Sequence, residues 1–253
     1  MSEAEAVPRP GPLEPALEAD SVRHPLVRAL LALTFTTGLL DASSYVGLGH
    51  VFTANQAGNI VLLGAGIAGN GNLPVAAPLV SVGSFVVGAG AAGVVTKRSG
   101  TSDRVLVVRA LAAEVSLLGI AAIVAAAGTV TPGAASGYIV IALLALAMGV
   151  RNGTLARFGG ADSTLTMLTG SLAGLVSNLP FTGGSDRRSA RRGAATLALF
   201  SGALAGALLL KTSLWLPLAA AAVLALATSV VLRTHDAATP ASSAESGTRR
   251  KPN

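Results

Sequence analysis

Six apolar stretches, at 26–46, 75–96, 104–128, 134–150, 193–210 and 213–232, dominate this chain of 253 residues. Each approaches or exceeds the roughly 20 residues an α-helix needs to cross a hydrocarbon layer of ~30 Å. In that solvent every backbone N–H and C=O must be paired within the protein, and a helix does so segment by segment. The pattern predicts an all-α, multi-pass membrane protein with the lipid bilayer as its surroundings. A soluble α/β enzyme of this length carries alternating strand patterns and far more than 12% charged residues.

Other chemistries lose their footing on the same sequence. Cysteine is absent, which removes disulfides, thiolate metal sites and thiol nucleophiles. His24, His50 and His235 are far apart and offer no metal-ligand spacing. No histidine lies at the membrane depth of the core serines, so no nucleophile–base pair forms, and the chain reads as a non-enzyme without a cofactor. The net charge of +6 does not point to nucleic acid, because basic residues in a membrane protein record orientation. "GAGIAG" at 64–69 and "GAGAAG" at 88–93 match the dinucleotide fingerprint, but neither follows a strand inside a βαβ unit. Their glycines read instead as sites of close helix contact. Asn152-Gly-Thr154 has the form of a glycosylation sequon but falls on the face expected to be cytoplasmic.

Residues 1–24, with Pro8, Pro10, Pro12 and Pro15 among scattered acids, read as a disordered tail, and 234–253 as a second. The first tail lacks the basic, apolar and small-residue regions of a cleaved signal peptide. The expected membrane domain is 25–233.

Within it the chain repeats. "ALLALTFTTGLLD" at 29–41 resembles "ALLALAMGVRN" at 142–152, pairing Gly38 with Gly149 and Asp41 with Asn152. "GHVFTANQAGNIVLLGAG" at 49–66 has a partner in "DSTLTMLTGSLAGLVSN" at 162–178, where Gly170 matches Gly58. "GAGAAGVV" at 88–95 parallels "GALAGALL" at 202–209. The offsets stay between 111 and 114 residues, so repeat one is 26–128 and repeat two is 134–232. Each half is a long helix, a short polar segment and two more helices.

Charge decides whether the short segments cross. If all eight segments spanned from a cytoplasmic N-terminus, Lys97, Arg98, Arg104, Arg109, Arg151, Arg157 and Lys211 would lie outside. If the short ones enter and leave on one face, only Lys211 of these stays outside and "DRRSARR" at 186–192 remains inside. The cytoplasmic bias of Lys and Arg selects the second arrangement: six transmembrane helices, two re-entrant segments, two inverted repeats and both termini cytoplasmic. Tyr45, Tyr138 and Trp215 then fall at the outer interface, where amphipathic rings settle. Paired, glycine-interrupted short segments in inverted repeats point to a central binding site.

Its candidate lining is Asp41, Thr53, Asn55, Gly58 and Asn59 from repeat one, with Asn152, Thr166, Thr169 and Gly170 from repeat two. The short helices are expected to begin near the midplane, where their positive ends favour an anionic or polar solute. Asp41, Glu114 and His50 are candidates for coupling, since an intramembrane carboxylate is costly and histidine titrates near neutrality. The plainer reading of Asp41 is a buried carboxylate satisfied by Ser43, Ser44 or the backbone N–H groups of the short segment. Arg109 and Glu114, five apart, face some 140° away from each other, so Arg109 snorkels to the interface. Arg151 reads as a topology anchor, with the alternative that, adjoining Asn152, it reaches an anionic solute.

"TGLLDASSYVGLGHVFTANQAGNIVLLG" at 37–64, "MGVRNGTLARFGG" at 148–160 and "TLTMLTGSLAGL" at 164–175 resemble the signature of the YoaK family of bacterial membrane proteins. The resemblance covers 26–232, and departs where the usual pattern has Thr and this chain has Ala57. It implies a multi-pass protein of the bacterial inner membrane and no established activity. The residues themselves suggest a small-solute transporter or channel, with a non-transporting scaffold or assembly factor as the alternative. Self-association into a homo-oligomer is compatible with either.

Overall fold

The computed structural model of the chain describes residues 25–69, 73–99, 103–156 and 187–235. Regular structure in them is helical throughout: α1 (Pro25–Gly47), α2 (Gln56–Ile67), α3 (Ala76–Arg98), α4 (Asp103–Ala127), α5 (Ala135–Leu155), α6 (Arg187–Leu210) and α7 (Trp215–His235). All but α2 contain an apolar span of at least 18 residues, long enough to cross a bilayer. The expectation of six spanning helices in a multi-pass membrane protein holds. The second short segment, 162–178, lies outside the described residues.

α1 and α5, the first long helix of each half, are central, with 56% and 50% of their spans buried against 11–33% for the other four. α1 packs most extensively on α6, and α5 on α3. α4 packs on both α5 and α7, and α7 also reaches α1. The core where they meet is built from Leu39, Leu40, Leu118, Ile141, Leu144, Met148 and Leu218. Large apolar side chains such as Val87, Ile123, Phe200 and Val223 point outward, as a lipid-facing surface requires.

Lipid supplies no hydrophobic drive for helix association, so close backbone packing must provide it. The α1–α6 and α3–α5 crossings both do this through glycine. A Cβ on Gly38 would collide with the Leu199 carbonyl, and one on Gly202 with the Phe35 carbonyl. At the other crossing, a Cβ on Gly149 would strike the Phe85 carbonyl and one on Gly88 the Leu146 carbonyl. Gly206 and Gly153, each four residues beyond its partner glycine, extend the two contacts along Leu39 and Ala89.

Two helices outrun their apolar stretches. α5 continues past 150 through Arg151, Asn152 and Thr154, with Arg151 and Thr154 buried. The hydropathy stops at Arg151 but the buried face of the helix does not, because an acidic partner on α4 meets its charge. α6 begins at Arg187, six residues before its apolar run, and arginine is a good helix former.

Candidate functional site

The first polar cluster is organised by Asp41. Beyond α1 the chain turns through Gly49 and His50, both at positive φ (92° and 60°), and runs back alongside the helix it has just left. Asp41 Oδ1 accepts hydrogen bonds from the backbone N–H groups of Thr53 (2.9 Å) and Ala54 (2.8 Å), and Oδ2 accepts from Asn55 (3.1 Å). Asp41 stands six residues before the end of α1, so the returning loop has descended ~9 Å along it. There α2 starts: Asn55 is its N-cap, and its side-chain Oδ1 accepts from Gly58 N at 3.2 Å. The helix thus begins at Gln56 and ends at Ile67.

The consequence is electrostatic. The partial positive charge at the start of α2, which the sequence offered to an anionic solute, already faces the chain's own carboxylate. Of the two readings of Asp41, the backbone N–H groups of the short segment are its partners. Ser44 donates to the Asp41 main-chain carbonyl at 3.2 Å and Ser43 to that of Leu39 at 2.6 Å, so neither serves the carboxylate.

Asn59, one turn into α2, ties the loop to α3. Its Oδ1 accepts from Phe52 N (2.9 Å), and its Nδ2 donates to Phe52 O (2.7 Å), Gln56 Oε1 (2.8 Å) and Ser81 Oγ (3.1 Å). Ser81 in turn donates to Phe52 O at 2.7 Å. Asn59, Ser81 and Thr53 are completely buried, and the Thr53 hydroxyl has no hydrogen-bond partner among the described residues. Tyr45 stacks on Phe52 (4.9 Å between ring centroids) and meets the exposed His50 edge-on at 5.1 Å. Gly58 leaves room for the Phe52 ring, which a Cβ there would approach to within 2.8 Å.

A second cluster lies deeper, between α1, α4 and α5. Arg151 Nη1 forms a 3.0 Å ion pair with Glu114 Oε1, while Nη2 donates to Thr37 Oγ1 (2.6 Å) and approaches Met148 Sδ (3.1 Å). Glu114 is 0% and Arg151 3% exposed. Arg109 is exposed and takes no part, as the angular argument expected. Arg151 is therefore a buried partner of Glu114 rather than an interfacial anchor.

Of the sequence-derived candidates, Asp41, Thr53, Asn55, Gly58 and Asn59 come together at the start of α2. Asn152 bonds within its own helix, Nδ2 to Met148 O at 2.8 Å, and Glu114 sits in the second cluster. His50 lies apart at the exposed turn. Thr166, Thr169 and Gly170 are outside the described residues. Sequence reasoning missed Ser81, Gln56, Thr37 and the inward role of Arg151. Only the run Thr34, Thr36, Thr37 in an apolar helix hinted at a polar face there, and each of these hydroxyls also donates to the carbonyl four residues back. Among the described residues no three His, Asp or Glu side chains stand close enough to share a metal ion. An open groove of about 400 Å³ between α3 and α5, lined by Val80, Val87, Leu143 and Leu146 with Ser84, is apolar and belongs to the lipid-facing surface.

Residues 29–231 match the family model described as "Protein of unknown function (DUF1275)". The chain belongs to this family. It is also 34% identical over 151 residues to the UPF0700 transmembrane protein YoaK of Bacillus subtilis (strain 168), an alignment covering 59% of this chain and 65% of that protein. The match thus spans a little under two thirds of the relative's length. No solved structure matches the chain. In this DUF1275 protein the family match encloses both polar clusters, from Thr37 and Asp41 to Arg151.

Proposed function

We propose that the chain is a small-solute transporter or channel built from two inverted repeats, with a re-entrant segment in each and a polar site between them. The observation that carries this reading is the exchange relation between the helix crossings. α1 on α6 and α5 on α3 use equivalent atoms: Gly38 against Leu199 O corresponds to Gly149 against Phe85 O, and Gly202 against Phe35 O to Gly88 against Leu146 O. The paired positions are 111 residues apart in the first helices and 114 in the second, the offsets of the sequence repeat. α4 with α7, and α4 with α5 against α7 with α1, complete the same exchange. Three spans per repeat make the two copies inverted, the architecture in which substrate sites form at the repeat interface.

The return of the chain to Asp41 supports the re-entrant reading, since α2, ~18 Å long, starts below the end of α1 and is too short to span. Because Asp41 already occupies the positive end of α2, the solute class narrows to small polar molecules, and an anion would have to displace that carboxylate. Cytoplasmic termini, inner-membrane placement and the absence of enzymatic chemistry belong to the same reading.

A scaffold or assembly factor is the second reading, favoured by the mutual satisfaction of Asp41, Asn59, Ser81 and the loop backbone. Uptake into liposomes by the purified protein, screened over neutral polar solutes and small anions, separates the two. Transport predicts flux that Gly58→Leu abolishes with membrane insertion unchanged, because the displaced Phe52 ring shifts the start of α2. A protein that moves nothing in the panel while Asn55→Cys, at the exposed N-cap, stays inert to small soluble thiol reagents supports the scaffold.

A further inference from the structure

We propose that Glu114 is a proton-binding site whose protonation opens the Arg151 bridge between the two central helices. Its coupling to solute movement rests on the transport reading above; the proton site does not.

The geometry of the pair carries the argument. An arginine facing a carboxylate commonly docks both arms of its fork on both oxygens. Here the fork is split: Nη1 goes to Glu114 Oε1 and Nη2 to Thr37 Oγ1 on α1. Thr37 spends its own proton on Leu33 O at 2.9 Å, so it has none to give Glu114. Glu114 Oε2 is left without a hydrogen-bond partner among the described residues, on a side chain that is 0% exposed near the middle of α4. A buried carboxylate oxygen with no donor is the costliest part of the cluster. A proton removes the charge whose burial makes that oxygen costly, and it needs no volume.

Few charges compete for that role. α5 contributes Arg151 and, far along the helix, Tyr138. α7 carries only Arg233 and His235, at its end, and meets the core through Leu218, Ala221 and Ala225. α1 presents Thr37 here, with Arg28, Asp41 and Tyr45 elsewhere along it, and Arg151 is within electrostatic reach of Asp41. Glu114's own helix adds Arg109, which is exposed, and, in its first turn, Asp103 and Arg104.

Proton addition at Oε2 cancels the carboxylate charge beside Arg151 and leaves its guanidinium hydrogen-bonded to neutral acceptors only: Glu114 Oε1, Thr37 Oγ1, Leu33 O at 3.5 Å and Met148 Sδ, with Asp41 the remaining acidic group within reach. α1 and α5 meet through apolar core side chains such as Leu40 and Met148, and Arg151 is the polar link between them, to Thr37 Oγ1 and Leu33 O. With its directly paired charge neutralised, Arg151 is driven toward water, and the ends of α1 and α5 nearest it separate. These helices belong to different repeats, which is where an alternating-access motion has to act.

The test needs no solute. The protein is reconstituted in phosphatidylcholine vesicles and titrated from about pH 9 to 5 by infrared difference spectroscopy. Spin labels at Arg28→Cys and Ala156→Cys, exposed positions in a chain without native cysteine, report the α1–α5 distance in parallel. The expected result is a protonated-carboxyl band that appears on acidification, disappears in Glu114→Gln and persists in Asp41→Asn. It should come with a distance change of about 2 Å or more, the scale of interface helix shifts. Glu114→Gln strands Arg151 and can fail to fold, so the charge-neutral pair Glu114→Gln/Arg151→Met is measured beside it, and should show neither band nor distance change. No Glu114-dependent band, or a band with the α1–α5 distance unmoved, overturns the proposal and leaves the transport reading standing. A wild type with both signals but no solute flux supports the proton site and removes the transport reading alone.

Discussion

At the scale of single residues, Asp41 does the work of an N-terminal cap from a distance. Three N–H groups converge on its two oxygens, and hydrogen bonds to a charged acceptor are each stronger than neutral ones. Asp41→Asn keeps one acceptor but turns an NH2 toward a backbone donor. The expected loss is about 2 kcal/mol, or ~4–8 °C in thermal unfolding in detergent. Ser116→Ala, which removes an exposed hydroxyl, should move the midpoint hardly at all. Equal midpoints for the two variants would mean that Asp41 is not what holds the start of α2. Asn59 gives a second measure. Asn59→Asp keeps the acceptor for Phe52 N but deletes the donors to Phe52 O and Ser81. It should cost ~1–3 kcal/mol, more than Ser81→Ala, which leaves Asn59 two other acceptors. Asp41, Thr53, Asn55 and Asn59 stood out in the sequence because polar groups inside an apolar run are rare. Ser81 and Arg151 did not, because their partners lie 22 and 37 residues away, a separation that periodicity does not encode.

At the scale of elements, the same residue type has opposite meanings on different faces. Gly38 and Gly149 sit where another backbone passes, whereas Gly83 and Gly90 have open space at the Cβ position. Gly38→Ala and Gly149→Ala should therefore each destabilise by ~1–3 kcal/mol through overpacking. Gly90→Ala should be neutral or stabilise by up to ~1 kcal/mol, because alanine is the better helix former and meets nothing. Thermal unfolding of the three variants reads the difference directly. The repeat reading adds a sharper condition: the losses at Gly38 and Gly149 should be similar, since both face a helix carbonyl at equivalent positions. The helices themselves were legible from hydropathy to within a few residues, except where charge enters a span. α5 was cut short at 150 because hydropathy counts Arg151 as polar whether or not Glu114 lies opposite. Which helices cross was not legible, because small residues are spread through all of them and sequence alone cannot say which glycine has a neighbour.

At the scale of the whole molecule, orientation in the bilayer follows from charge rather than packing. α3 ends in Lys97 and Arg98, both exposed, and the loop beyond reaches Arg104. Thr131, in the short connection between α4 and α5, lies at the opposite end of α4 with no basic residue between Glu114 and Arg151 in the sequence. Translocating lysine and arginine is opposed during insertion, so the 97–104 end should remain cytoplasmic and the Thr131 end face outward. Those two ends are separated by the ~38 Å length of α4's 25 residues, so they cannot share a membrane face. With no native cysteine, Ser99→Cys and Thr131→Cys each give a single reporter. A membrane-impermeant thiol reagent applied to intact cells should label Thr131→Cys and spare Ser99→Cys, with both labelled once the membrane is opened. Labelling of Ser99→Cys alone would place α1 in the reverse direction. The loop that returns to Asp41 would then dip in from the cytoplasm, and the charge bias that selected two re-entrant segments would have selected the wrong arrangement.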